Sequence, residues 1–250
     1  MEAVLYVSHG SRVKEARDQA EHFLHQVHDK VDVPLWKICF LELASPTIGE
    51  GIESLVEAGA TKVVIIPVLL LKAGHYYKDV PDELEKAMRR FPDVAFQYGE
   101  PLGVQERIID VLVERIESAS THTGQEKSVL LVGRGSRNPE TKEAIESMAR
   151  RIEQKIAGVV TDVCYLAACE PSFEEGLETA LAREKSETIV VPYLWFTGIL
   201  LQSMQKKVTE LQEDHPTLTL ASHLYDHPTM VQALADRVEE ALETAGELKV

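Results

Sequence analysis

The sequence predicts an α/β protein built from two similar tandem domains, each a parallel sheet wrapped by helices. Three observations carry that expectation. Leu5-Tyr6-Val7-Ser8-His9-Gly10-Ser11-Arg12 recurs as Leu130-Leu131-Val132-Gly133-Arg134-Gly135-Ser136-Arg137, and Pro46 and Pro67 recur as Pro171 and Pro192 at the same offset of about 125 residues. Short Val/Ile/Leu runs alternate with amphipathic stretches, as in βα units feeding a parallel sheet. A small, polar, aperiodic stretch at 118–125 separates the copies and reads as a linker. The domains are therefore expected at 1–119 and 126–250.

In the first copy, strands are expected at 3–8, 35–41, 62–69 and 94–98, near-continuous apolar runs suited to burial on both faces. Helical periodicity fills 13–30, 47–58, 80–90 and 104–119. The helix at 47 starts just after Pro46, and Gly59 stands where a C-terminal cap belongs. The second copy repeats the scheme, with strands at 128–133, 161–166, 188–193 and 218–222 and helices between them.

Composition narrows the function classes. The chain has 250 residues, 44% of them hydrophobic, enough for two folded cores. A formal net charge of −15 repels nucleic acid and anionic membrane surfaces. No apolar run approaches the roughly 20 residues that span a bilayer. The start, Met1-Glu2-Ala3-Val4-Leu5-Tyr6, lacks the basic region of a signal peptide. The three cysteines follow no metal or redox spacing, and Cys39 and Cys164 share a repeat position inside strand-like runs, where they read as buried apolar side chains. The expected location is the cytoplasm.

The two copies differ in their chemistry. Where the first has His9, Glu42 and His75, the second has Arg134, Ala167 and Leu200, or Ile199 if one residue is deleted. Ligands of open parallel sheets sit outside the carboxyl ends of the strands. His9 follows the first strand, Glu42 the second, and His75 lies in the loop after the third, so all three fall at one sheet edge. Two imidazoles and a carboxylate without a thiolate suit a borderline divalent metal such as iron, cobalt, nickel or zinc. Three ligands leave coordination positions open, and imidazole takes up protons near neutral pH. Gly10 and Gly74 beside the histidines let backbone approach a flat ligand. The Gly-Ser-Arg tripeptide survives in both copies, which marks it as a strand-to-helix turn with Ser near the helix start.

Other candidates read as structural. His22, His25 and His28 fan across the first helix and are expected on a solvated face; His215, His223 and His227 are expected to be structural. Tyr76, Tyr77, Trp195 and Phe196 would suit either the lips of a site for a large flat ligand or packing in the core. Two further readings fit the ligand set: a metal-carrying protein that hands its ion on, and an open iron site used for oxygen chemistry.

Ser8-His9-Gly10-Ser11-Arg12, Glu42-Leu43-Ala44-Ser45-Pro46-Thr47 and Val68-Leu69-Leu70-Leu71-Lys72-Ala73-Gly74-His75 together resemble the class II chelatases of tetrapyrrole pathways. The likeness is greatest to the two-domain sirohydrochlorin ferrochelatases and cobaltochelatases and covers the whole chain. It implies two chelatase-like, flavodoxin-like domains, each a four-stranded parallel sheet with helices on both faces, and a cleft between them. It implies insertion of Fe2+, with Co2+ the alternative, into sirohydrochlorin with release of two protons and no other cofactor. His9, Glu42 and His75 match the metal and proton-handling positions. Ser45, Leu70, Leu71, Lys72, Ala73 and Gly74 match macrocycle-contacting segments. The substrate is a polycarboxylate, and Arg12, Lys72, Lys78, Arg134 and Arg137 would offset the acidic balance, with Arg134 gripping carboxylates from the position of a ligand. The final residues, Ala245-Gly246-Glu247-Leu248-Lys249-Val250, carry neither a histidine-rich tail nor a cysteine motif, which favours iron. A chain holding both copies is expected to be a monomer.

Overall fold

The computed structural model describes residues 1–121 and 126–244. Residues 122–125 of the expected linker and the final residues 245–250 lie outside the described residues. The order is β1 (Glu2–Ser8), α1 (Lys14–His28), β2 (Trp36–Phe40), α2 (Ile48–Glu57), β3 (Lys62–Pro67), a π-helical turn (His75–Asp79), α3 (Val80–Arg90), β4 (Ala95–Tyr98) and α4 (Glu106–Ala119). It continues with β5 (Lys127–Gly133), α5 (Pro139–Lys155), β6 (Val159–Tyr165), α6 (Phe173–Leu181), β7 (Glu187–Tyr193), α7 (Ile199–Leu211), β8 (Leu218–Leu220) and α8 (Pro228–Glu243).

Two four-stranded parallel sheets result, with orders β2-β1-β3-β4 and β6-β5-β7-β8. In each, the chain leaves the first strand to one side and returns on the other, so the switch point lies at its carboxyl end. Ala3 through Val7 and Val129 through Val132 are almost wholly buried, as strands covered on both faces must be. One first-sheet core gathers Leu5, Cys39, Ile52, Leu55, Ile65, Leu84 and Phe96. Both cysteines of the repeat are buried, and burial pushes the Cys164 thiol up to about 12. α2 and α6 start with matching capping boxes. Thr47 Oγ1 accepts from Glu50 N at 3.3 Å while Glu50 Oε2 accepts from Thr47 N at 2.7 Å, and Ser172 and Glu175 repeat the exchange.

Compactness does not follow the repeat boundaries. One compact unit joins Met1–Gly103 with the segment that starts at Pro228; the other is Val104–His227. α4, the last helix of the first copy, packs on α5 and β7, and α8, the last helix of the second copy, packs on α1 and β3. Ile108, Ile109, Val111, Leu112 and Ile116 of α4 are buried in this way. Arg237 of α8 donates to Leu102 O at 2.9 Å, and Gln97 donates to Thr244 O at 2.9 Å. The sequence repeat reflects the copying of a segment; the compact units reflect where each apolar helix face finds its cover. Among the described residues, no helix is long and apolar enough to cross a membrane.

Candidate metal centre

The site grows from two turns at the switch point. After β1 the chain turns at Gly10 with φ +90°, where a Cβ would stand 1.9 Å from Glu42 O. Only glycine permits that approach. Leu41 N donates to Ser8 O at 2.9 Å and Glu42 N donates to His9 O at 3.1 Å, so the chain after β2 runs alongside the chain after β1. His9 Nε2 and Glu42 Oε1 consequently lie 3.3 Å apart. His9 Nδ1 lies 3.1 Å from Gly10 O, which assigns the ring proton of the neutral form to Nδ1. The Nε2 lone pair then faces a carboxylate oxygen. Two electron-rich atoms at that distance attract only through a cation between them, a proton or a metal ion.

His75 arrives from the loop after β3. Val68 N donates to Val7 O at 2.9 Å, and Leu102 N and Gly103 N donate to Leu69 O and Leu70 O at 3.0 and 2.9 Å. The loop ends in the π-helical turn that begins at His75, a local widening frequent at functional sites. Asp79 Oδ2 holds His75 Nδ1 at 2.7 Å, which leaves Nε2 as the outward ligand atom. The His9 and His75 rings meet edge to face with centroids 4.8 Å apart. One ligand atom each from His9, Glu42 and His75 lies within 4.8 Å of the others. Bonds of about 2.1 Å in a tetrahedral set separate ligand atoms by about 3.4 Å, so side chains whose ligand atoms lie within 4.8 Å of one another reach a shared ion by closing about an ångström. Among the described residues no second such group occurs.

The remaining expected positions surround this centre in different ways. Arg12 and Ser45 are exposed, Gly74 is exposed, and Leu70, Leu71 and Ala73 are half-buried along the His75 loop. Lys72 is engaged within the protein. Its Nζ lies 2.6 Å from Glu100 Oε2 and 5.2 Å from the centre of the Tyr76 ring. Glu100 also accepts from Tyr76 OH at 2.9 Å. Burial raises the Glu100 carboxyl, but the hydrogen bonds from Lys72 and Tyr76 outweigh it and hold the group below the usual carboxylate range. Tyr76 stacks on Tyr98 rather than facing solvent, and its hydroxyl is pushed up by burial and by Glu100. Asp79 and Glu100 escaped the sequence reading. Asp79 had a signal in its i,i+4 spacing from His75, and Glu100 in its place just beyond β4.

In the second unit the same backbone carries different side chains. Gly135, at φ +88°, would place a Cβ 1.8 Å from Ala167 O, and Leu166 N donates to Gly133 O at 3.0 Å. Ser11 Oγ accepts from Val13 N and Ser136 Oγ from Asn138 N, each at 3.1 Å. The Gly-Ser-Arg turn is thus a folding device in both units. Arg134 and Ala167 are exposed at the positions of His9 and Glu42. Trp195 is buried and stacks on Phe196 at 5.5 Å. One helix histidine departs from the expected solvated face. His22 and His25 are exposed, but His28 is buried, accepting from Tyr6 OH at 3.0 Å through Nδ1 and donating to Val33 O at 2.8 Å.

Comparison with known proteins gives the family. A family model described as CbiX matches residues 3–119 and again 128–241, one match per repeat. The chain is 44% identical over 246 residues to a sirohydrochlorin ferrochelatase of Priestia megaterium, covering 98% of this chain and 92% of that one. It is 31% identical to a sirohydrochlorin cobaltochelatase of the same organism, covering 100% and 82%. The solved structure of SirB from Bacillus subtilis with Fe3+ superposes with a TM-score of 0.87 at 34% identity, covering 97% of this chain and 96% of that one. Matched by one family model in both of its repeats, the chain belongs to the CbiX family.

Proposed function

We propose that this protein is a sirohydrochlorin ferrochelatase: it inserts Fe2+ into sirohydrochlorin to give sirohaem, with release of two protons. The observation that carries the reading is the convergence of His9, Glu42 and His75 at the switch point of one sheet only. The greater identity to a ferrochelatase than to a cobaltochelatase supports iron over cobalt. The donor set itself accepts Co2+ as readily, so cobalt insertion is the second reading.

The metal ion is a substrate. His9 Nε2, His75 Nε2 and a Glu42 oxygen hold it with positions left open for ring nitrogens. Asp79 fixes the His75 ring and its tautomer, with Nε2 turned toward the ion. As the ring nitrogens bond to the metal, both pyrrole N–H protons must leave, and the bases that have just released the ion stand beside them. Glu42 and the two imidazoles are the acceptors. The His9–Glu42 contact suits the exchange, since it is favourable with either a metal ion or a proton between the two groups.

Arg12 and Arg134 pair with the peripheral carboxylates of the substrate. Ser45 and the loop residues Leu70, Leu71, Lys72, Ala73 and Gly74 line the ring, with Glu100 fixing Lys72 and thereby the loop. The reaction needs no nucleotide or redox cofactor. The protein acts as a monomer in the cytoplasm.

The test is an anaerobic incubation of sirohydrochlorin with ferrous or cobaltous ion, followed by the absorbance of the macrocycle, for wild type and His9→Ala. A metal-dependent spectral change that the variant slows at least about a hundredfold supports the reading. No change with wild type refutes the activity, and equal rates refute the site.

A further inference from the structure

Leu43, immediately after the ligand Glu42, stands in a conformation and an environment that folding alone does not favour. Its φ is +63°, in the left-handed region that glycine and asparagine tolerate and a branched apolar residue does not. The residue is 46% exposed. The loop imposes the conformation. Residues 41–46 are closed by Phe40 N donating to Pro46 O at 2.8 Å, and the twin loop by Tyr165 N donating to Pro171 O at 2.9 Å, with Ala168 at φ +65°.

The twin loop meets the same backbone demand with a methyl group, in the unit that lacks the metal ligands. The metal-bearing unit places a leucine there, which adds apolar surface in water and relieves no strain. Among the described residues of this unit, the other exposed large apolar side chains are Met1 and Tyr77. Tyr77 follows His75 by two residues, so two of the three loops that carry these residues, those of Glu42 and His75, also carry an exposed apolar side chain.

We propose that Leu43 is a substrate contact, packing its side chain against the planar apolar face of the tetrapyrrole while Glu42 addresses the metal. This rests on the chelatase reading above and adds to it a residue whose role is to hold the ring. The gain is the removal of the leucine side chain and the ring face from water on binding.

The position allows a test in which stability and binding move in opposite directions. Leu43→Gly and Leu43→Asn both relieve the left-handed strain and both delete the apolar contact. Thermal melting, Co2+ titration without macrocycle, and titration with metal-free sirohydrochlorin are compared with wild type. The expected result is a Tm equal or higher, a Co2+ affinity within about twofold, and sirohydrochlorin bound about tenfold more weakly. A lower Tm in both variants would make Leu43 a packing residue, and a lost Co2+ affinity would make it a brace for Glu42; either overturns the proposal. If wild type binds sirohydrochlorin and the variants bind it equally, this inference alone falls. If wild type does not bind it, the chelatase reading falls and takes the inference with it.

Discussion

The two units are built on one backbone scheme and separated by a handful of side chains. Gly10 and Gly135 make the same turn at φ +90° and +88°, and each leaves no room for a Cβ against the carbonyl of the neighbouring loop. Leu43 and Ala168 share a left-handed conformation, and Thr47 and Ser172 cap the next helix in the same way. What differs is what projects from these turns: His9 against Arg134, and Glu42 against Ala167. The lesson is that a Gly-Ser-Arg turn beside a histidine is not by itself evidence of chemistry, since the same turn stands in the second unit where His9 and Glu42 have no counterpart. The ligands themselves are the functional signal.

The sharpest way to break this comparison is to remove a ligand and its counterpart in parallel. Glu42→Gln and His75→Ala should each lower the insertion rate by about 10²–10⁴-fold and abolish tight Co2+ binding in a direct titration. Arg134→Ala should leave Co2+ binding unchanged and raise the KM for sirohydrochlorin about tenfold through a lost charge-assisted hydrogen bond. Loss of metal affinity in the Arg134 variant would show that the second unit shares the centre.

The turns should respond alike. Gly10→Ala and Gly135→Ala are each expected to destabilise their own unit by about 2–4 kcal/mol, read by denaturant unfolding, because a Cβ has no space and the backbone is left-handed. If only Gly10→Ala lowered stability, the shared role of the turn would be wrong. Asp79→Asn should weaken Co2+ affinity about 10–100-fold with the fold retained, as expected for a group that orients a ligand.

The smallest effect concerns pH. Burial lowers the pKa of His28, against the opposing pull of the Val33 carbonyl and Asp29. A base whose folded pKa is depressed contributes stability that is present above its unfolded value near 6.5 and is lost as pH falls through the folded value. The Tm should therefore fall between pH 7 and pH 5, and His28→Gln should flatten that dependence while lowering the Tm at pH 7. The second unit has Glu153 at the corresponding position and gives no matching histidine term.

Much of the fold could be read from the chain, for physical reasons that also explain the gaps. Lys62–Pro67 and Glu2–Ser8 are β-rich apolar runs too short for helices, and α3 was expected at 80–90, where it lies. The three ligands could be placed at one edge because each follows a strand of a parallel sheet. The π-helical turn at His75–Asp79 has no periodicity of its own, so neither it nor the grip of Asp79 on His75 was apparent. His28 was misplaced because its spacing from His22 and His25 suggested a surface fan, whereas its distance from Leu24 puts it on the buried face. The pairing of Lys72 with Glu100 depends on where β4 ends, which no local pattern records. The packing of α4 and α8 was hidden because a repeat reports descent, and both helices would look equally amphipathic in either arrangement.

That last arrangement bears on how the protein is made. α8 buries Met230, Val231, Ala233, Leu234, Ala235, Val238 and Ala241 as part of the unit that holds the metal ligands, packed on α1 and β3. His9, Glu42 and His75 leave the ribosome early, but the unit that holds them lacks the cover of β3 until α8 has been synthesised. A nascent chain stalled, or a gene truncated, shortly before Pro228 would carry every ligand and still lack the cover of β3.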